Sequence, residues 1–177
     1  MIQLINDNWE FLKLPNGSSL SDAKENAGWT PVDLPHDWLI WQSDDLYESA
    51  DAWYRRNIRI DGNLPPVCLI CFDGVYMDCD ILLNDELIDT HPYGYTAFTV
   101  NLGGHLRCGD NELAVHIRHQ SPNSRWYSGS GIFRDVTMMI LPESHIVPDS
   151  FYFAETKENG VWNVTVTAET RGNSGIP

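Results

Sequence analysis

Basic charge is scarce in this chain. Eleven Lys and Arg stand against 25 Asp and Glu, a formal net charge of −14. Nucleic acids and anionic membrane surfaces are bound through basic patches, so neither is expected as a partner. Small neutral ligands remain compatible, and the acidic excess serves solubility. Long apolar runs are lacking too. None approaches the roughly 18–20 residues that a spanning helix needs. The opening residues 1–9 carry neither a basic n-region nor a long apolar h-region, so no secretory leader is read there. The cytoplasm is the expected compartment, a leader removed upstream being the alternative. A sustained 3.6-residue apolar period is absent as well, which leaves room for one helical turn, over 21–26, and no more.

Cysteine is sparse, with Cys68, Cys71, Cys79 and Cys108. Cys68 and Cys71 form a CxxC, but inside a strand-like run. Strand positions three apart face opposite ways, so the pair suits neither a shared metal nor a redox couple. Buried thiols acting as small hydrophobes are expected instead. His116 and His119 have the same spacing and the same consequence, so no zinc site is expected from them. No metal ligands and no cofactor are assigned to the chain.

What is present is short alternating apolar runs bounded by Gly, Pro, Asn and Asp, with seven Trp and seven Tyr to fill a core. In 53–60, Tyr54, Ile58 and Ile60 share a face despite Arg56. Residues 67–72 are continuously apolar, as in a central strand. Met77, Cys79, Ile81 and Leu83 share a face, and Asn84-Asp85 makes a tight turn into 86–90. Phe98, Val100 and Leu102 make another face. Leu113, Val115 and Ile117 follow a turn at 109–111, and Val136, Met138 and Ile140 close the series. Seven or eight such strands predict an all-β fold, an antiparallel jelly-roll β-sandwich. The length suits one domain of ordinary size. The pattern changes near Pro142. Two further strands, 150–155 and 161–169, flank 157–160, too little for an independent sandwich. The last residues, 171–177, read as an arbitrary boundary.

Residues 122–136 combine three aromatics, two arginines and two glycines. Aromatic faces stack on the C–H face of a pyranose, and Arg, Asn and Ser direct hydrogen bonds at its hydroxyls. A surface loop whose Trp126 and Tyr127 cap the core is the plainer alternative. Gly129 and Gly131 form no phosphate loop, because no helix follows them. His36-Asp37 invites a general-base role, but no nucleophile stands beside it. A structural corner, with Asp37 bonded to backbone and Trp38 in the core, is expected.

The string Arg125-Trp-Tyr-Ser-Gly-Ser-Gly-Ile-Phe-Arg134 resembles the signature that closes the N-terminal domain of glycoside hydrolase family 2 enzymes, above all β-galactosidases. Three more segments agree in order. Val32-Asp-Leu-Pro-His-Asp-Trp38, Ala52-Trp-Tyr-Arg-Arg56, and Phe72-Asp-Gly-Val-Tyr-Met-Asp78 followed by Leu83-Asn84 are similar to further family elements. The resemblance covers 1–142.

This resemblance implies a large retaining glycosidase that begins with a jelly-roll sugar-binding domain. An immunoglobulin-like domain follows, then a TIM barrel with both catalytic glutamates. A barrel alone takes roughly 250 residues, so it cannot fit in this chain. Residues 1–142 are thus expected to be the sugar-binding domain, and 143–177 a linker and the incomplete start of the immunoglobulin-like domain. The chain alone is expected to be inactive, with the missing domains and a galactoside as its partners. Two loops are implied to reach toward the substrate, near 47–53 and 123–127. They make Asp51, Asn123, Arg125, Trp126 and Tyr127 the substrate-binding candidates. Some family members hold sodium through an aspartate in the second loop. Arg125 stands near that place here, so no sodium site is carried over. Sodium or magnesium is left to the parent enzyme. The alternatives are an autonomous carbohydrate-binding module, or the same domain of a β-glucuronidase or β-mannosidase.

Overall fold

A computed structural model describes residues 1–42, 44–123 and 128–172. In chain order the elements are β1 (Ile2–Leu4), β2 (Trp9–Pro15), α1 (Leu20–Glu25), β3 (Thr30–Val32), α2 (Trp38–Gln42), β4 (Ala50–Ile60), β5 (Val67–Phe72), β6 (Cys79–Leu83), β7 (Glu86–His91), β8 (Phe98–Asn101), β9 (Gly109–His119), β10 (Val136–Leu141), β11 (His145–Ile146), β12 (Tyr152–Glu158), β13 (Val161–Thr167) and β14 (Thr170–Arg171). The chain divides into two compact units, Met1–Ile140 and Leu141–Pro177.

The first unit is a two-sheet sandwich. One sheet has the order β3-β2-β4-β9-β6-β7, the other β1-β10-β5-β8. Its backbone is the long antiparallel pair β4 and β9, in register from Ala50 opposite His119 to Ile60 opposite Gly109. Alternation turns Tyr54, Ile58 and Ile60 inward with Leu113, Val115 and Ile117, against Cys68, Ile70 and Phe72 of the facing sheet. Trp9, Trp38, Tyr54 and Phe72 are the largest fully buried side chains. Each contributes about 1.5–3 kcal/mol by leaving water. A smaller apolar layer lies on the other face of the large sheet. Leu12, Leu14, Trp53, Leu82 and Ala114 are covered there by Ala23 of α1.

The turn chemistry is local. Asn84 and Asp85 both have positive φ, 50° and 72°, as a two-residue hairpin turn demands. In α1 the Ser19 side chain accepts from Asp22 N while Asp22 accepts from Ser19 N, a reciprocal cap.

Several details differ from the sequence reading. The first unit holds ten strands, because β1, β2 and β3 add to the expected set. β5 has the inner place its apolar run suggests, between β10 and β8, and within it Cys68, Ile70 and Phe72 are buried while Val67, Leu69 and Cys71 are half-buried. Residues 109–111 belong to β9 and not to a turn. Asn111 holds them there, donating to the carbonyls of Ile58, Arg107 and Gly109. α2 is a second helical turn that an unbroken apolar string does not announce. It forms because Asp37 caps it, its Oδ1 accepting from Ile40 N at 3.2 Å.

The second unit holds two small antiparallel pairs, β11 with β14 and β12 with β13. Asn159 and Gly160, both at positive φ, turn the longer hairpin. Its register sets Phe153, Trp162, Val164 and Val166 on one face. All four are exposed.

Candidate functional site

The His36–Trp38 segment and the glycine-rich segment after residue 127 form one corner. His36 N donates to Ile132 O at 2.8 Å, and Trp38 N donates to Ser130 O at 3.0 Å. Asp37 Oδ1 accepts from Ser130 N at 3.0 Å while capping α2. One carboxylate therefore orders two segments 93 residues apart in sequence. On the other side Tyr76 and Gly131 exchange both backbone bonds, at 2.9 and 3.0 Å, and Ser130 Oγ donates to Tyr76 O.

Both glycines are required. Gly131 has φ +138°, and a Cβ there would lie 2.3 Å from His36 O and 2.6 Å from the Tyr54 hydroxyl. Gly129 has φ +67°, and a Cβ would lie 2.2 Å from Asp37 Oδ2. No side chain fits such contacts.

His36 is part of the core. It is buried, packed edge-on against Phe11 and Trp41, with Nδ1 2.7 Å from the Tyr54 hydroxyl. Burial pulls its pKa below the usual histidine value and pushes that of Tyr54 well up. The His36-Asp37-Trp38 string is a structural corner.

Two loops meet beside it. Ser49 Oγ accepts from Ser121 N at 2.8 Å and donates to Ser121 O at 3.2 Å, tying the segment before β4 to the segment after β9. Asn123 Nδ2 donates to Gln120 O at 3.2 Å and to Ser128 Oγ at 3.1 Å, bracing the two ends of the loop that begins there. Arg125, Trp126 and Tyr127 lie outside the described residues.

Asp51 sits differently. It is 1% exposed, on the outer face of β4 beneath the turn at Gly17, whose N–H donates to Oδ2 at 3.0 Å. His116 Nε2 stands 3.3 Å from the same oxygen, and the His116 ring stacks on Trp53 at 4.0 Å. Asp51 has almost no surface with which to meet a ligand. Sequence reading missed this partnership, because a charged residue in an alternating strand reads as solvent-facing. His119, as its spacing from His116 implies, points the other way. It is buried edge-on against Trp38, with its pKa lowered by burial.

A second polar cluster adjoins these loops. Arg118 donates to both carboxylates of Asp78 and Asp80 in a four-bond fork, at 2.5–3.2 Å. Those bonds hold its pKa above the usual arginine value. The thiols of Cys68 and Cys79 are pushed up to about 11 and about 12 by burial, which makes them inert at neutral pH. Among the described residues, no group of three or more His, Cys, Asp or Glu is placed to hold a metal ion. No helix among them is long and apolar enough to cross a membrane.

The first unit is a two-sheet antiparallel sandwich that carries this corner. Comparison with known proteins gives the family. No family model matches the chain, but individual proteins do. Over 155 residues it is 32% identical to a β-galactosidase of Bacteroides ovatus, a match spanning 80% of this chain and 18% of that protein. Over 182 residues it is 26% identical to a protein of Formosa agariphila provisionally named a β-glucuronidase, spanning 94% of this chain and 17% of that one. A glycosyl hydrolase family 2 member from Bacteroides cellulosilyticus superimposes with a TM-score of 0.72 at 30% identity, over 87% of this chain and 22% of that one. The chain belongs to glycoside hydrolase family 2, as its N-terminal β-sandwich domain. It spans under a fifth of the length of these two curated relatives.

Proposed function

We propose that the chain serves a retaining β-galactosidase-like glycoside hydrolase as a non-catalytic domain, lending loops to a carbohydrate pocket completed by other domains. The observation that carries this reading is the pairing of the two loops. Ser49 is bonded to Ser121, and Asn123 braces the loop that starts there, on a corner built by Asp37 and Gly131. Asn123, Arg125, Trp126 and Tyr127 are the sugar contacts in this reading. Asp51 acts through the turn it anchors at Gly17. Catalytic carboxylates are left to a barrel outside the chain, so the chain alone hydrolyses nothing. Residues 143–177 are read as the start of an immunoglobulin-like domain, a reading supported by the exposed Phe153, Trp162, Val164 and Val166 that share one face of the β12–β13 hairpin. Cys68, Cys71, Cys79 and Cys108 form no disulfide among the described residues, which suits the reducing cytoplasm. No cofactor is assigned, and any sodium or magnesium belongs to the parent.

A second reading has an observation of its own: the Formosa agariphila relative is provisionally named a β-glucuronidase. The parent enzyme assayed on aryl β-galactoside and aryl β-glucuronide separates the two. Preference for the galactoside, lowered by Asn123→Ala, is expected. Preference for the glucuronide sinks the galactosidase reading and leaves the domain assignment standing.

A further inference from the structure

The connection between β7 and β8 carries two exposed tyrosines that the pocket loops do not use. Tyr93 and Tyr95 are 58% and 44% exposed, their ring centroids 5.9 Å apart and their planes at 66°. The rings form the two walls of a corner. That corner is built, not incidental. Between them Gly94 lies against the buried ring of Tyr76, so closely that a Cβ would fall 2.3 Å from it. Tyr95 packs edge-on against the same ring at 5.1 Å. Tyr76 is itself bonded through its backbone to Gly131. The tyrosine corner and the pocket loops thus share one support.

The backbone ties this connection to a polar pair. Asp78 N donates to Pro92 O at 3.3 Å, next to Tyr93, and Arg118 N donates to Asp78 O at 3.2 Å. The Asp78 side chain is 49% exposed and accepts two bonds from the Arg118 guanidinium, at 3.0 and 3.2 Å. From Arg118 the chain runs five residues to Asn123. Ring faces at an angle, a rigid carboxylate to accept from hydroxyls, and a fixed guanidinium are the parts of a pyranose contact. The fork sets one guanidinium against the carboxylates of Asp78 and Asp80, so its charge favours neutral over anionic sugars.

We propose that Tyr93 and Tyr95, with the Asp78–Arg118 fork beside them, form a second sugar contact. It takes an outer, neutral residue of an oligosaccharide, while the Asn123 loop takes the terminal one. The inference rests on the carbohydrate reading above but uses different residues.

The test is amide chemical-shift mapping of the 177-residue chain with β-1,4-galactotriose, and with trigalacturonate as the anionic probe. Saturable shifts confined to residues 78, 92–96 and 118 are expected with galactotriose. They should weaken by about tenfold in affinity in Tyr93→Ala, the stacking energy of one ring. They should survive in Tyr93→Phe and Asn123→Ala. Exposure of Tyr93 keeps the first variant folded, and its unperturbed spectrum checks that. Absence of shifts with galactotriose overturns the contact. So do shifts that vanish in Asn123→Ala and persist in Tyr93→Ala, or equal binding of trigalacturonate. Absent shifts and equal binding of trigalacturonate leave the pocket-loop reading intact, since that pocket is completed elsewhere, whereas shifts that depend on Asn123 overturn both.

Discussion

The two units of this chain use the same strand grammar to opposite ends. In Met1–Ile140, alternation points Trp9, Tyr54, Phe72 and Ile117 into a dry space between two sheets. In Leu141–Pro177, alternation points Phe153, Trp162, Val164 and Val166 to one face of a two-stranded hairpin, and there they stay exposed. A period of two assigns a face to each side chain and does not supply the sheet that covers it. The same apolar area is worth kilocalories in the first unit and almost nothing in the second.

The sharpest way to break that comparison is a matched pair of truncations. Trp38→Ala should cost the first unit about 3–5 kcal/mol, the range for a buried large aromatic. Trp162→Ala should stay within about 0.5 kcal/mol, as at an exposed site. Urea unfolding of the two variants measures both, and equal losses would contradict the contrast. Gly131→Ala comes next, at about 3 kcal/mol. It forces a Cβ onto backbone at His36 and onto the Tyr54 hydroxyl, and neither can yield cheaply. Asp37→Ala should cost about 1–2 kcal/mol, for a helix cap and the bond to Ser130 lost together.

The smallest expected effect is a pH dependence confined to the first unit. Burial lowers the pKa of His36, His116 and His119 from 6.5, so each resists its proton when folded and accepts it when unfolded. Between the lowered values and 6.5 the unfolded chain binds more protons, and stability must fall as pH drops through that window. Above it the histidines contribute no slope. The carboxylates with lowered pKa, Asp22 and Asp110, add their own loss only toward 3.8 and below. Urea midpoints taken from pH 7.5 down to 5.0 should decline, and a flat profile would show that the buried rings titrate normally. His119→Phe should flatten part of that decline.

Much of the large sheet was legible because its strands alternate cleanly between turn residues. β4, β6, β9 and the Asn84-Asp85 hairpin read directly. β2 did not, because Leu12 and Leu14 are covered by α1 while Trp9 and Phe11 face the core. Both faces are therefore apolar, and no period survives. α2 escaped for the opposite reason: five residues hold too little sequence to show a period, and its cap is shared with Ser130.

The site was legible as motifs and not as geometry. His36-Asp37-Trp38 and the glycine-rich string could be singled out, but not the bonds joining them across the chain. Asp51 shows the limit from the other side. Its charge suggests a surface role, and only the Gly17 turn and His116 account for its burial.

The central claim is that this domain holds part of a sugar pocket and not a whole one. Calorimetric titration of the chain with galactose and lactose to tens of millimolar tests it most directly, with Trp126→Ala as control. No heat that depends on Trp126 is predicted, because that pocket is completed only by other domains. Saturable binding that disappears in Trp126→Ala would contradict the claim and make this an autonomous carbohydrate-binding module.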